Sequence, residues 1–346
     1  MSKTLQDYAT LINDTIQSNE INHYITTDNM CQNLGGIDAF KNINIPQGKV
    51  RSFQKDDILL SNIRLYFRKV YRAKQKGGCS SDVLVFRAKH IDSATLFAIL
   101  SSQIFTDYAC SGSQGSKMPR GNKTHMMNFK IPTINFTIAK IFNSIQNKIE
   151  NNHKINELLH TLAHKVYEYY FKYKPKNAKL EQIIIENPKS NIMVKNAQKT
   201  QDKYPFFTSG DNTLSYPKAI IDGRNCFLNT GGNAGIKFYV GKASYSTDTW
   251  CIGANEFSDY LYLLLSSIKT HINQSFFQGT SLKHLQKNLL KKYPIYMPSA
   301  HEIKKFNQII MPLLTLISIN TRISKRLEQI RDFLLPLLLK QQVKPQ

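Results

Sequence analysis

Arg64, Arg68 and Arg72, with Tyr66, Lys69 and Tyr71 between them, set six side chains able to meet a phosphate or a base on one short stretch of chain. A guanidinium can grip a guanine edge or a phosphate through two parallel N–H bonds, and a tyrosine adds a rigid contact. The run from Ser111 to Lys123 is polar, glycine-containing and basic, and its Gln114, Ser116, Lys117, Arg120, Asn122 and Lys123 suit a loop that conforms to a groove. In the second half of the chain, glycine-rich Thr230 to Gly235 permits close backbone approach to a phosphate, helped by Lys237 and Lys242. Gln278-Gly279-Thr280-Ser281 is followed by Lys283, His284 and Lys287, a second basic loop. For each of these residues a solvated basic edge or an ordinary surface loop is the plainer reading.

Catalytic arrangements are harder to find. The chain has no G-x-x-x-x-G-K-[ST] loop, no G-x-S-x-G elbow and no H-E-x-x-H pair. His160 and His164 stand four apart on a helical stripe, where a structural or solvent-facing role outweighs metal binding. Glu186-Asn187-Pro188-Lys189 does not supply the Asn/Asp-Pro-Pro-Tyr motif of a DNA methyltransferase, and Asp56-Asp57 is a poor magnesium cluster for a nuclease. The chain reads as non-catalytic, with no cofactor and no metal.

Charge directs attention to a polyanion. Of 346 residues, 46 are Lys or Arg and 24 are Asp or Glu, a formal charge of +22, which repels a compact chain unless a partner or solvent screens it. Nucleic acid is the first suspect; the alternative is codon bias, since only 10 of the 46 are Arg in a chain rich in Lys, Asn and Ile. The cysteines at 31, 79, 110, 226 and 251 are odd in number and lack a C-x-x-C, so they read as ordinary thiols in a reducing compartment. No charged-then-apolar leader precedes Asn22, and the apolar stretch Phe333 to Leu339 is too short to span a bilayer. The expectation is a soluble, cytoplasmic protein with no membrane partner.

The elements that must position these residues are written twice. Leu96-Phe97-Ala98-Ile99-Leu100-Ser101-Ser102 returns as Leu261-Tyr262-Leu263-Leu264-Leu265-Ser266-Ser267, and Gln114-Gly115-Ser116-Lys117-Met118 as Gln278-Gly279-Thr280-Ser281-Leu282. Ser81-Asp82 is echoed by Thr247-Asp248 and Ile131-Pro132 by Met297-Pro298. A period this long implies two copies of a domain plus a helix, related by a pseudo-two-fold. Asp57 to Ser61, Asp82 to Phe86, Cys226 to Asn229 and Ile236 to Val240 read as strands, and Thr95 to Tyr108 as one amphipathic helix. Asn33 to Gly36, Pro46 to Gly48 and Lys76 to Gly78 read as turns.

From about Ile138 a helical stripe runs through Ile145, Ile155, Leu162 and Tyr169 with no Gly or Pro until Pro175, about 50 Å of helix at 1.5 Å per residue. A matching stripe runs from Ile303 through Ile317 to Leu334, interrupted by Pro312 and ending near Pro336. The two stripes can bury each other as a coiled coil, with Asn152, Asn156 and Asn320 as polar register marks, or each can pack on its own domain. The expected fold class is α/β: two α/β domains, at 1–133 and 176–299, and two long helical segments, at 134–175 and 300–346, with an internal pseudo-two-fold repeat.

These residues resemble a known family, the specificity (S) subunits of type I restriction-modification systems. The stretch Asp57 to Tyr66, then Gly78 to Val85, Gly115 to Gly121 and Phe129-Lys130-Ile131-Pro132 is similar to the first target-recognition domain of those subunits. Tyr204-Pro205-Phe206-Phe207-Thr208-Ser209-Gly210 and the run Asn229 to Tyr239 resemble another recognition-domain class of the same family. The resemblance implies that the two α/β domains are target-recognition domains separated by two long antiparallel coiled-coil helices, a DNA-reading adaptor of a bipartite duplex site partnered by two methyltransferase (M) subunits and by restriction (R) subunits that supply the chemistry. It adds Thr208, Ser209, Asn229, Thr230 and Asn233 to the DNA-binding candidates. Thr133 to Phe136 and Ser299 to Glu302 stand where the family's spacer helices often open on an acidic-glutamine start. The alternatives are a non-catalytic coiled-coil scaffold, a stand-alone DNA-binding relative of S subunits, and the recognition half of a fused enzyme.

Overall fold

The repeat visible in the sequence is a repeat of strands. The computed structural model describes residues 3–38, 43–131, 133–197, 203–210, 213–279 and 282–339. Pro132, Thr280 and Ser281, and the end of the 300–346 segment, lie outside the described residues. The chain forms two compact units, 1–151 with 326–346 and 152–325, so the units divide within the two long helices and not at their ends.

The first unit runs α1 (Leu5–Tyr8), β1 (Ala9–Ile12), β2 (Thr15–Gln17), β3 (Tyr24–Ile25), β4 (Lys49–Phe53), β5 (Ile58–Ser61), β6 (Val70–Arg72), β7 (Gly77–Cys79), β8 (Val83–Ala88), α2 (Ser93–Leu100), α3 (Gln103–Ser111), α4 (Lys123–Met127) and the start of α5 (Phe136–Phe171). Its main sheet has the order β1-β8-β5-β6, antiparallel throughout. Strand β5 is buried at every residue because it is covered on both faces. With a side-chain period of two, Ile58, Leu60, Leu84 and Phe86 face the cluster built by α2, while Leu59, Val83 and Val85 face Ile25, Phe53 and Cys79 of a second sheet, β2-β4-β7-β3.

The second unit continues with β9 (Ala178–Lys179), β10 (Ile185–Glu186), β11 (Tyr204–Phe207), β12 (Leu214–Tyr216), β13 (Arg224–Asn229), β14 (Ile236–Val240), β15 (Ser244–Tyr245), β16 (Thr249–Gly253), α6 (Ser258–Ser267), α7 (Lys269–Ser275), β17 (Phe277–Gln278), β18 (His284–Leu285), α8 (Lys287–Lys291), β19 (Pro294–Ile295) and α9 (Ala300–Leu338). Its main sheet, β10-β16-β13-β14, has the topology of the first. The same period divides it: Cys226, Leu228, Trp250 and Ile252 face the α6 side, and Phe227 and Cys251 face Phe207, Tyr239 and Tyr245. Burial pushes the Cys79 and Cys251 thiols up to about 12, so both stay protonated at neutral pH.

The long helices run antiparallel where they meet within each unit. In the second unit the Phe171 and Phe306 rings are 4.9 Å apart, Asn320 Nδ2 donates to Asn156 Oδ1 at 3.0 Å, and Asn152 Nδ2 donates to Ser324 Oγ at 3.1 Å. Falling residue number on one helix thus matches rising number on the other. In the first unit the buried Arg331 donates to Gln146 Oε1 at 3.0 Å, and Phe142 and Ala139 share a cluster with Leu335 and Leu338. The three asparagines expected as register marks pair across the helices, each meeting a polar side chain of the other.

Three expectations are corrected. The single helix over Thr95 to Tyr108 is two, because Ser102 caps α3 by accepting from the Phe105 N–H at 3.2 Å. Gly77 and Gly78 are not a turn but strand β7, where an added Cβ would stand 2.5 Å from the His23 carbonyl oxygen and 2.5 Å from Ile21 Cδ1 respectively. Helix α9 is not interrupted at Pro312; it continues for 39 residues, also through Pro336. Proline removes one rung there and costs about 3 kcal/mol, and the buried Phe306, Ile310 and Leu314 around it hold the helix. The helix opens on a capping box: Ser299 N–H donates to Glu302 Oε2 at 2.9 Å and Glu302 N–H to Ser299 Oγ at 3.3 Å.

The Ser299 backbone N–H, the Tyr296 hydroxyl and the Ser299 hydroxyl hold the Glu302 carboxyl down to about 2. A folded-state value below the ordinary one, about 4.3, stabilises above that pH and is lost as pH falls toward the folded value. Glu302→Gln therefore lowers the thermal midpoint at pH 7, and the gap from wild type narrows as pH falls below about 4. Melting curves across that range check this; a pH-independent gap refutes it.

Candidate nucleic-acid interface

In both units the loop after the second strand of the main sheet is tied to a hairpin that follows the paired helices. In the first unit, Asn62 N–H donates to the Asp82 carbonyl at 2.8 Å, Arg64 N–H to the Pro119 carbonyl at 2.9 Å, and Gly121 N–H to the Asn62 carbonyl at 3.1 Å. In the second, Thr230 N–H donates to the Asp248 carbonyl at 3.2 Å, Gly232 N–H to the Lys283 carbonyl at 2.9 Å, and Leu285 N–H to the Thr230 carbonyl at 3.0 Å. Ile63 bridges Arg120 as Gly231 bridges His284. These are the same ladder built from different side chains.

The hairpins match as well. Gln114 and Arg120 exchange backbone bonds of 2.9 and 2.8 Å, and Gln278 pairs with His284 in the same position. The next residue is glycine in both, at φ 99° for Gly115 and φ 138° for Gly279, a region that favours a residue without Cβ. The repeated Gln-Gly is thus a shared structural turn.

The structure brings Arg64, Gln114, Ser116, Lys117, Arg120, Asn122 and Lys123 together in the first unit. Arg64 Nη2 lies 3.4 Å from the Lys117 carbonyl, and Arg120 pairs with Asp82 at 3.0 Å while remaining 61 % exposed. Gln114, Ser116, Lys117, Asn122 and Lys123 are exposed, and Asn122 also caps α4 by accepting from His125 N–H at 3.0 Å. Tyr66 is 53 % exposed beside them and meets the Phe67 ring edge-on.

Three cations of the same stretch are held by the fold. Arg68 Nη2 donates to the Ser101 carbonyl at 2.9 Å, and burial lowers its pKa. Arg72 donates to Asp56 at 2.8 Å and to Asn143 of α5 at 2.8 Å, and Lys69 donates to the Thr27 carbonyl at 2.5 Å.

In the second unit Thr208, Ser209, Thr230 and Lys237 form one network behind the glycine loop. Lys237 Nζ donates to the Thr208 carbonyl at 2.7 Å and to that of Gly210, Ser209 Oγ donates to the Asp248 carbonyl, and Thr230 Oγ1 donates to the same carbonyl at 2.7 Å. Asn229 is buried and donates to the Asn233 carbonyl at 3.1 Å, closing the loop; a Cβ on Gly235 would stand 2.3 Å from its Nδ2. Asn233, Lys242 and Lys283 are exposed. Lys287 Nζ sits 5.1 Å from the centre of the Trp250 ring, and its pKa is lowered by burial.

Sequence reasoning missed Asp82 and Asp248 as the carbonyl anchors of the two loops. Their echo at the repeat spacing was the signal. His160 is half-buried, with Nδ1 3.4 Å from the Tyr262 hydroxyl and a pKa lowered by burial and by His164. Among the described residues no group of three or more His, Cys, Asp or Glu could hold a metal ion, and no helix is long and apolar enough to cross a membrane.

The model of the type I restriction modification DNA specificity domain matches residues 176–329, which hold the second glycine loop and its hairpin. Over these residues the chain carries a type I restriction modification DNA specificity domain. Its fold is similar to that of the S subunit of a type I restriction-modification system from M. genitalium, with a TM-score of 0.64 at 14 % identity over 99 % of this chain and 96 % of that one. A HsdS subunit from Thermoanaerobacter tengcongensis aligns over 98 % of this chain and 96 % of its own at 12 % identity, with a TM-score of 0.37. No curated protein matches the chain.

A methyl group on Gly279 would lie 2.3 Å from the Leu282 carbonyl oxygen, whereas one on Gly115 meets nothing nearer than 3.5 Å. Both substitutions oppose a positive φ, so Gly115→Ala costs about 1 kcal/mol and Gly279→Ala about 2–3 kcal/mol. Denaturant midpoints of the two variants measure the difference; equal losses would contradict the hairpin geometry.

Proposed function

We propose that this chain is a type I restriction-modification specificity subunit that binds double-stranded DNA at a bipartite site, one half read by each recognition domain, and positions the subunits that methylate and cleave. The proposed assignment is recognition by residues 1–133 and 176–299 and spacing by the helical segments 134–175 and 300–346. The observation that carries it is the duplicated loop-and-hairpin ladder: one backbone frame presents Arg64, Lys117 and Lys123 in one copy and Gly232, Asn233 and Lys283 in the other. A frame kept constant under different side chains is what two readers of different half-sites require.

The roles divide by environment. Exposed Lys117, Lys123, Lys242 and Lys283 suit phosphate, and Gly231 and Gly232 allow a phosphate to approach backbone N–H groups. Arg68, Lys69, Arg72, Thr208, Asn229 and Lys237 serve by fixing the presenting loops. The chain supplies no chemistry in this reading. Two methyltransferase subunits and the restriction subunits of the complex supply it, in the cytoplasm where the DNA lies.

Because phosphate contacts release counterions, affinity falls steeply with salt, and Lys117→Ala with Lys123→Ala makes the slope of log K against log salt shallower by about 2. The function itself is tested by selecting a randomised duplex library with the full chain and the methyltransferase subunit encoded beside it. Two enriched blocks separated by an unread gap of fixed length are expected. A folded complex that enriches nothing would leave a scaffold.

A further inference from the structure

Arg64 and Gly232 occupy the same position of the two ladders. Each donates its N–H across 2.9 Å to the hairpin carbonyl opposite, Pro119 in one unit and Lys283 in the other. Both have positive φ, 50° for Arg64 and 77° for Gly232. The frame therefore demands a left-handed residue here, and glycine meets that demand without strain, while arginine does not. A Cβ at Gly232 would meet nothing within 4 Å, so the position opens outward and a glycine is not forced on it by crowding.

What the Arg64 side chain gains inside the protein is small. Its one hydrogen bond among the described residues is Nη2 to the Lys117 carbonyl, at 3.4 Å; Nε is buried without a partner, as is Nε of Arg68. Arg68, also left-handed at φ 49°, is the contrast: its side chain is 14 % exposed, donates to the Ser101 carbonyl at 2.9 Å and faces Asp332 at 3.9 Å. Folding accounts for the strain at Arg68 and not for the strain at Arg64. A strained residue retained without an internal reason points to a ligand.

The geometry points to Arg64 as a specificity-determining residue that reads a guanine in the half-site of the first recognition domain, its guanidinium donating to N7 and O6 in the major groove. This rests on the DNA-reading function proposed above. A phosphate accepts from many directions, and the flexible ammonium groups of Lys117 and Lys123 beside Arg64 meet it well. A planar fork on a fixed backbone, with one nitrogen at the Lys117 carbonyl, suits two acceptors of set spacing, and guanine presents such a pair. Gly232 carries no fork, so the second half-site lacks this contact.

The test compares wild type, Arg64→Gly and Arg64→Lys, each as the full chain with its methyltransferase subunit, by selection on randomised duplexes and by thermal melting. Arg64→Gly should melt at or above the wild-type temperature, because it relieves the left-handed strain. It should lose its preference at one guanine of one block, by about 10-fold to 100-fold, while the other block is unchanged; Arg64→Lys should lose much of the same preference. A complete motif retained by Arg64→Gly overturns the proposal. So does uniform weakening over all sequences with a shallower salt slope, which marks a phosphate contact, and so does a lowered melting temperature, which marks a structural role. Failure of the wild type to enrich any motif would overturn the DNA-reading function as well, which separates the two failures.

Discussion

Backbone hydrogen bonds between a strand-end loop and a downstream hairpin place Arg64, Lys117 and Arg120 in one unit and Asn233 and Lys283 in the other. In each unit the loop leaves the buried second strand of the main sheet, is pinned by the carbonyl of Asp82 or Asp248, and takes up the hairpin as a short ladder. The ladder is rigid because its foundation is: β5 and β13 are each covered on both faces, with alternate side chains in two clusters. Amide and carbonyl groups carry no side-chain identity, so the frame survives replacement of Ile63-Arg64 by Gly231-Gly232. Recognition surfaces that must vary are built well on such a frame.

The long helices owe their pairing to a different interaction. Apolar stripes make two helices adhere but do not fix which turns face each other, whereas Asn156 on Asn320 and Asn152 on Ser324 are satisfied in one register. Gln146 and Arg331 do the same in the other unit, where Gln146 also donates to the Leu34 carbonyl at 2.7 Å and so ties a helix to the domain.

Much of this was legible in the residues. Uninterrupted apolar runs located β5, β8 and β13, because a strand covered on both faces has no polar side to hide. The repeat spacing located the equivalent hairpins, and the asparagines on the stripes marked the helix register. Other features were not legible, for physical reasons. Gly77-Gly78 carries a turn composition but lies in a strand, since what selects glycine there is crowding by His23 and Ile21 from distant sequence. Pro312 reads as a helix break, yet tertiary packing outweighs one lost rung. Arg64, Arg68 and Arg72 look alike in sequence; Arg68 meets Ser101, Arg72 meets Asp56, and Arg64, held at a positive φ that composition does not report, meets only the Lys117 carbonyl at 3.4 Å.

The central claim is that the two units are two readers on one frame. Hydroxyl-radical footprinting of the full complex on a bound duplex, repeated with Lys117→Ala plus Lys123→Ala, tests it most directly. Two protected blocks separated by accessible backbone are predicted, with only one block fading in the variant. A single continuous footprint, or simultaneous loss of both blocks, would contradict it.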